Sequence, residues 1–266
     1  MSSIFHALLL GLLQGFTEFL PVSSSAHLIL LPKFMQWEDF GLPFDITIHL
    51  GSLLAIIIYF MYSKQFKQNP QAISMTRLFK LLVIGTIPVG LSGLLFKDYI
   101  EHYSRSIELI SITTMVFGIL LGVSYYVYLN KDKVNKFKCL NFKDFSIKFA
   151  LLIGLSQAIA IIPGVSRSGV TLTAGLLLGF NLLAASRFSF LLAIPVILSA
   201  GFKQSLDLIY TPELHLQSSI LFTGFLSSFF SSLLFVVGFF KYIEKIGIWP
   251  FVIYRVLLGS VLWLYG

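Results

Sequence analysis

The sequence predicts an all-α polytopic membrane protein built as an inverted-topology repeat. Three observations carry that expectation. The 266 residues are 56% hydrophobic and only 12% charged, with a mean hydropathy of +0.87, whereas a soluble domain carries about twice that charged fraction. Several uninterrupted apolar runs approach the length of a membrane span. Two further apolar runs are each interrupted by a proline- and serine-containing break, and the two breaks occupy corresponding places in the two halves of the chain.

Residues 1–6 contain no Lys or Arg, so the basic region of a signal peptide is missing and the first apolar run is expected to stay in the protein. That run, about 4–31, is broken at 21–25 and ends at Pro32. Each side of the break is shorter than the roughly 20 helical residues a hydrocarbon core requires. The pattern suits a re-entrant pair of half-helices meeting at a bend, because irregular backbone is tolerated at membrane depth where it is buried in protein or lines a cavity. Three spans follow, about 46–62, 78–96 and 107–129. A basic linker over 131–146 comes next, and its lysine-rich part, 131–138, is expected to be solvated. A second interrupted run, about 147–180, breaks at 163–169, and spans near 186–206, 218–240 and 248–265 complete the chain.

An offset of 143 aligns Gly11 with Gly154, Leu12 with Leu155, Gln14 with Gln157, Val22 with Val165, Ser23 with Ser166 and Ser25 with Ser168. The chain therefore reads as one membrane domain, 1–266, with repeat 1 over about 1–130 and repeat 2 over about 147–266. One re-entrant pair plus three spans is an odd number of crossings, so the second half enters from the opposite side. Such an arrangement places sites near the midplane. Charge then orients the molecule. Lys64, Lys67, Arg77, Lys131, Lys133, Lys136, Lys138, Lys143, Lys148, Lys241 and Lys245 fall on one side, against Lys33, Lys97, Arg105 and Lys203 on the other. The basic side is expected to be cytoplasmic, with both termini outside. The net charge of +7, which would suggest nucleic acid in a soluble protein, is thus topological, and no nucleic-acid partner is expected. The single Cys139 excludes an internal disulfide and reads as a free thiol.

The breaks concentrate the chemistry. Gln14 and Glu18 are four apart, on one helical face, and a carboxylate beside an amide oxygen is a reasonable ligand pair for a hard divalent cation. Glu18 could equally neutralise an arginine, and the two readings are compatible. Ser23, Ser24 and Ser25 stand where a helix starts, so at least one should act as a cap, and such an end also binds anions. His27, beside three hydroxyls and a carboxylate, is a catalytic candidate. The second break, Pro163-Gly-Val-Ser-Arg-Ser-Gly-Val-Thr171, supplies Arg167 between Ser166 and Ser168, with Gly169 and Thr171 close behind. Guanidinium is a planar fork suited to phosphate oxygens. At membrane depth it needs an anionic partner, which Glu18 or a substrate phosphate would provide. Brought tip to tip, the breaks would form a phosphoryl-transfer constellation. Glu18, His27, Ser24 and Arg167 would carry the chemistry, and Ser23, Ser25, Ser166, Ser168, Gly169 and Thr171 would surround the phosphates.

Gln14-x-x-x-Glu18, followed by Phe-Leu-Pro-Val-Ser-Ser-Ser-Ala-His27 and later by the arginine motif above, resembles the bacterial undecaprenyl-diphosphatase (bacitracin-resistance protein) family. The resemblance extends through Phe44-Asp-Ile-Thr-Ile-His-Leu-Gly51, Phe188-Ser-Phe-Leu-Leu-Ala-Ile-Pro195 and Tyr254-Arg-Val-Leu-Leu-Gly259. It implies removal of the terminal phosphate from undecaprenyl diphosphate, a polyisoprenyl lipid substrate, which recycles the cell-wall lipid carrier and confers bacitracin resistance. It also implies a divalent cation, Mg or Ca, at Gln14 and Glu18. His27 and the serine run match the positions proposed for the nucleophile or for acid–base work, and Arg167 matches the pyrophosphate-binding arginine. The family's place is the bacterial cytoplasmic (inner) membrane, with the site facing the extracytoplasmic side. Arg187 stands where glutamate is expected and is read as snorkelling to the membrane edge; His49 stands where glutamine is commoner.

The nucleophile stays open among Ser24, the preferred serine, His27, and a water assisted by His27. The rival reading is a transporter or flippase of a polyprenyl phosphate, because inverted repeats with discontinuous helices suit transport too. A non-catalytic scaffold would not need two matched polar breaks. Asp45 and His49 share a helical face and read as a structural hydrogen bond near the outer boundary. Arg255 reads as snorkelling or paired with a buried acceptor. Ser227, Ser228, Ser231 and Ser232 suit close helix packing.

Overall fold

The computed structural model describes residues 2–63, 73–96, 106–130, 139–210 and 217–265, so the lysines of 131–138, with Lys64, Lys67, Lys97 and Arg105, lie outside the described residues. Among the described residues, ten α-helices occur in this order: α1 (Ser2–Thr17), α2 (Ser24–Met35), α3 (Gly41–Tyr62), α4 (Met75–Leu95), α5 (Ile107–Leu129), α6 (Ile147–Ala158), α7 (Arg167–Leu177), α8 (Leu182–Tyr210), α9 (Ser218–Ile246) and α10 (Trp249–Tyr265). Among the described residues the β-like contact is a single bridge, Leu140 with Phe180. Among the described residues five helices, α3, α4, α5, α8 and α9, are long and apolar enough to cross a membrane, and α10 is a shorter apolar helix of 17 residues. Their outward faces carry large apolar side chains such as Phe79, Leu94, Phe222 and Leu234. The chain is a multi-pass all-α membrane protein.

Helix ends depart from expectation in three places. α2 runs through Pro32 to Met35, because proline removes one N–H donor and Gln36 then closes the helix in the left-handed conformation with its N–H on Pro32 O. The second break sits earlier than its proline. A 3-10 turn over Ile159–Ile161 follows α6, and α7 already begins at Arg167, so Arg167, Ser168 and Gly169 form the first turn of a helix. Residues 139–146, taken as linker, fold back onto the core. Leu140 pairs with the main chain at 179–181, and Phe145, fully buried, stacks between Phe180 at 3.8 Å and Phe188 at 4.2 Å.

Helix packing places the breaks. α1 lies along α9 and α6 along α4, while α3 packs on α9 and on α8, α8 on α4, and α5 on α10. Small residues allow the close crossings: a Cβ on Gly11 would collide with Ser227 and Gly224, and one on Gly154 with the main chain of Gly85. The α9 serines are buried there, as their spacing suggested. Ser228 donates to Ile48 O at 2.6 Å and Ser232 to Gly15 O at 3.2 Å. α2 and α7 are the short elements left to carry the breaks inward.

Candidate active site

α1 ends at Thr17, and Glu18 continues the turn with its N–H on Gln14 O at 2.9 Å. The i, i+4 spacing therefore holds, and Gln14 Nε2 donates to Glu18 Oε2 at 3.0 Å. The chain then bends through Pro21 to Ser23, whose φ of 72° is unusual for a residue with a Cβ. Ser23 is the N-cap of α2, but its hydroxyl caps no N–H; its Oγ lies 3.3 Å from Ser25 Oγ. The bend instead directs Ser24, whose Oγ donates to Glu18 Oε2 at 2.6 Å.

The second break repeats the bend. Ser166 has φ 69°, and here the hydroxyl does cap, accepting from Gly169 N at 3.1 Å. Arg167 follows, and its Nη2 donates to Glu18 Oε1 at 3.1 Å. Ser168 ties the breaks together directly, its Oγ donating to Leu20 O at 2.6 Å. Glu18, 7% exposed, thus accepts hydrogen bonds from Gln14, Ser24 and Arg167 at once. Three donors fix the direction of this carboxylate.

A cavity of about 260 Å³ opens on this cluster. Glu18, Ser23, Ser24, Ser25, Ser166 and Arg167 form its polar wall, and Ile46, Leu50, Val196, Ile197 and Ala200 an apolar one. The remaining expected residues point elsewhere. Gln14 is fully buried behind Glu18. Thr171 donates to Arg167 O and meets Ser189 Oγ at 2.7 Å, inside the protein. Gly169 leaves room for the Arg255 guanidinium. His27 is not on the cavity wall: its Nδ1 donates to Ser23 O at 2.7 Å, and its Nε2 accepts from the Tyr254 hydroxyl at 2.5 Å.

Among the described residues, no group of three or more His, Cys, Asp and Glu side chains is placed to hold a metal ion. Gln14 Oε1 is buried with no hydrogen-bond partner among the described residues, on the amide whose Nε2 reaches Glu18. A hard divalent cation takes such oxygens, but Gln14 is off the cavity wall, so of the two only Glu18 faces the space a phosphate would enter.

With this geometry in view, the model of the family described as bacitracin resistance protein BacA matches residues 7–261. The chain belongs to that family. It is 44% identical over 268 residues to the undecaprenyl-diphosphatase of Marinobacter nauticus, covering 98% of each chain. It is 46% identical over 265 residues to undecaprenyl-diphosphatase 1 of Pseudoalteromonas translucida, covering 97% of this chain and 96% of the relative. To the undecaprenyl-diphosphatase of Campylobacter concisus it is 45% identical over 267 residues, covering 97% of each.

Three polar residues of this BacA-family chain are placed differently from their sequence readings. Asp45 and His49 do share a face, with His49 Nδ1 donating to Asp45 O at 2.7 Å, but both line the cavity, and His49 Nε2 lies 3.7 Å from Glu18 Oε2. Their i, i+4 spacing was visible; the packing of α3 against the first break was not. Arg187 is buried at 8% exposure rather than snorkelling, since α8 lies inside the bundle. Arg255, by contrast, matches one of its readings: it is fully buried and paired with buried acceptors, the main-chain carbonyls of both breaks.

Proposed function

We infer that this chain is an integral membrane phosphatase that hydrolyses undecaprenyl diphosphate to undecaprenyl phosphate and phosphate, recycling the cell-wall lipid carrier and conferring bacitracin resistance. The names of its relatives state that activity, and one structural observation carries it to the site. Arg167 gives Nη2 to Glu18, while its Nη1 is buried with no acceptor among the described residues. An anionic oxygen is what that nitrogen lacks, and a serine hydroxyl already hydrogen-bonded to a carboxylate stands beside it.

Ser24 Oγ attacks the terminal phosphorus while Glu18 Oε2 takes its proton. Arg167 stabilises the charge on the transferred phosphoryl group, and the bond to the bridging oxygen breaks, releasing undecaprenyl phosphate. Water then attacks the phosphoserine, the serine–phosphorus bond breaks, the proton held by Glu18 returns to the serine oxygen, and phosphate leaves with the water oxygen while the proton the water loses passes to solvent. A divalent cation, Mg or Ca, would be held through Glu18, which Gln14 orients, and would screen the charge of the diphosphate when bound. His27 has both ring nitrogens engaged away from the cavity, so its part is to hold the Ser23 carbonyl rather than to move a proton.

The inverted repeat, the cytoplasmic-membrane location and an extracytoplasmic site belong to the same reading. Supporting it, α1 packs on α9 as α6 packs on α4, the helices matched by the 143-residue offset. The cavity also reaches Asp45 and Gln204, near the helix ends assigned to the outside. Phosphate release from undecaprenyl diphosphate by the purified protein, with and without chelator, tests the reading. Arg167→Ala and Glu18→Gln should each nearly abolish release while the protein stays folded; full turnover by both would remove this site from the reaction.

A further inference from the structure

α10 carries an adjacent pair, Tyr254 and Arg255, that the reaction above does not use and that together reach both breaks. Arg255 Nε donates to Thr114 O at 3.1 Å and Nη1 to Pro21 O at 3.3 Å, while Nη2 donates to Gly164 O at 2.7 Å and Val165 O at 3.0 Å. A guanidinium at membrane depth is costly, and this one is satisfied by main-chain carbonyls rather than by a carboxylate. Pro21 lies three residues before Ser24, and Gly164–Val165 lie just before Ser166 and Arg167. One side chain therefore grips each loop immediately upstream of the group it presents. Tyr254 extends the grip: its hydroxyl donates to His27 Nε2, and His27 Nδ1 donates to the carbonyl of Ser23. Ser23 and Ser166 both hold positive φ, a conformation that persists only where the surroundings over-determine it. Neither Tyr254 nor Arg255 lines the cavity.

We propose that Tyr254 and Arg255 are positioning residues for phosphoryl transfer, locking the two breaks in register so that Ser24 and Arg167 meet at Glu18. The proposal rests on the phosphatase reading, and steady-state kinetics on the purified full chain with undecaprenyl diphosphate tests it. A displacement of about 1 Å costs about 100-fold in rate, so Arg255→Met should lower kcat by about that factor with KM within about 3-fold of wild type. Arg255→Lys, whose ammonium can serve some of the four carbonyls but lacks the fork, should recover about 10-fold of the loss. Tyr254→Phe, which keeps the ring and removes one hydrogen bond, should lower kcat by roughly 3- to 10-fold at unchanged KM. A raised KM with kcat retained would make Arg255 a substrate ligand and overturn the proposal, as would wild-type kcat in Arg255→Met. If Arg255→Met does not purify as folded protein, Tyr254→Phe decides, and an unchanged kcat there overturns the proposal. Inactive wild-type protein would overturn the phosphatase reading and this proposal with it, whereas an active wild type with unaffected variants overturns this proposal alone.

Discussion

Glu18→Gln keeps the shape of the side chain while removing the charge that Arg167 faces. The two groups are 3.1 Å apart at side-chain exposures of 13% for Arg167 and 6% for Glu18. At that separation and an effective dielectric of about 20, their gross attraction is about 5 kcal/mol, most of it offset by the desolvation of both groups. The net worth of the pair is therefore small, but removing one side is expensive. Glu18→Gln strands a buried guanidinium and should cost about 3–5 kcal/mol. Arg167→Met strands a carboxylate that still has Ser24 and Gln14 as donors, so its cost should fall at the low end of that range. The double variant buries no unpaired charge and should be more stable than the sum of the singles by about 2–3 kcal/mol. Unfolding by a denaturing detergent titrated into mixed micelles, run as a double-mutant cycle, measures this coupling. A coupling below about 0.5 kcal/mol would refute the view that the pair is desolvated and interdependent.

Ser24→Ala should reduce phosphate release by at least about 1,000-fold with little change in stability; retention of about a tenth of wild-type turnover would instead make water the nucleophile. Gln14→Ala, by removing the Nε2 donor that orients Glu18, should raise the concentration of Mg or Ca needed for half-maximal rate after chelation, read from a cation titration. Gly11→Val should destabilise the protein by about 1–3 kcal/mol, because the added atoms meet Ser227 and Gly224 on α9; thermal unfolding in detergent measures it.

The spans and the breaks were legible because each is a local property of the chain. Length and hydropathy define α3, α4, α5, α8 and α9, and Pro21 and Pro163 announce the interruptions. The meeting of Glu18 with Arg167 was also legible, since a membrane-depth cation requires an anion and few are available. What could not be read is direction. His27 follows the serine run within one turn, yet the bend at Ser23 sends it toward Tyr254 rather than toward Glu18. Ser168 and Thr171 flank Arg167 in sequence but bond to Leu20 O and Ser189. His49 and Arg255 acquire their polar partners from breaks more than 25 residues away in the chain, so no local pattern encodes them. The packing of 139–146 was masked by the lysines preceding it, although Phe142 and Phe145 carried the apolar signal.

Ser24 and Arg167 are themselves 143 residues apart, and each is the first residue of its half-helix, following a serine at positive φ. The same corner is thus built twice, and each copy offers its next side chain to the same carboxylate. The copies are not equivalent, because the carboxylate comes from the first break alone, with Ile161 standing where the offset would put its counterpart. The attacking serine and anchoring arginine proposed above would then be two outputs of one corner shape, told apart by a carboxylate that only one half supplies.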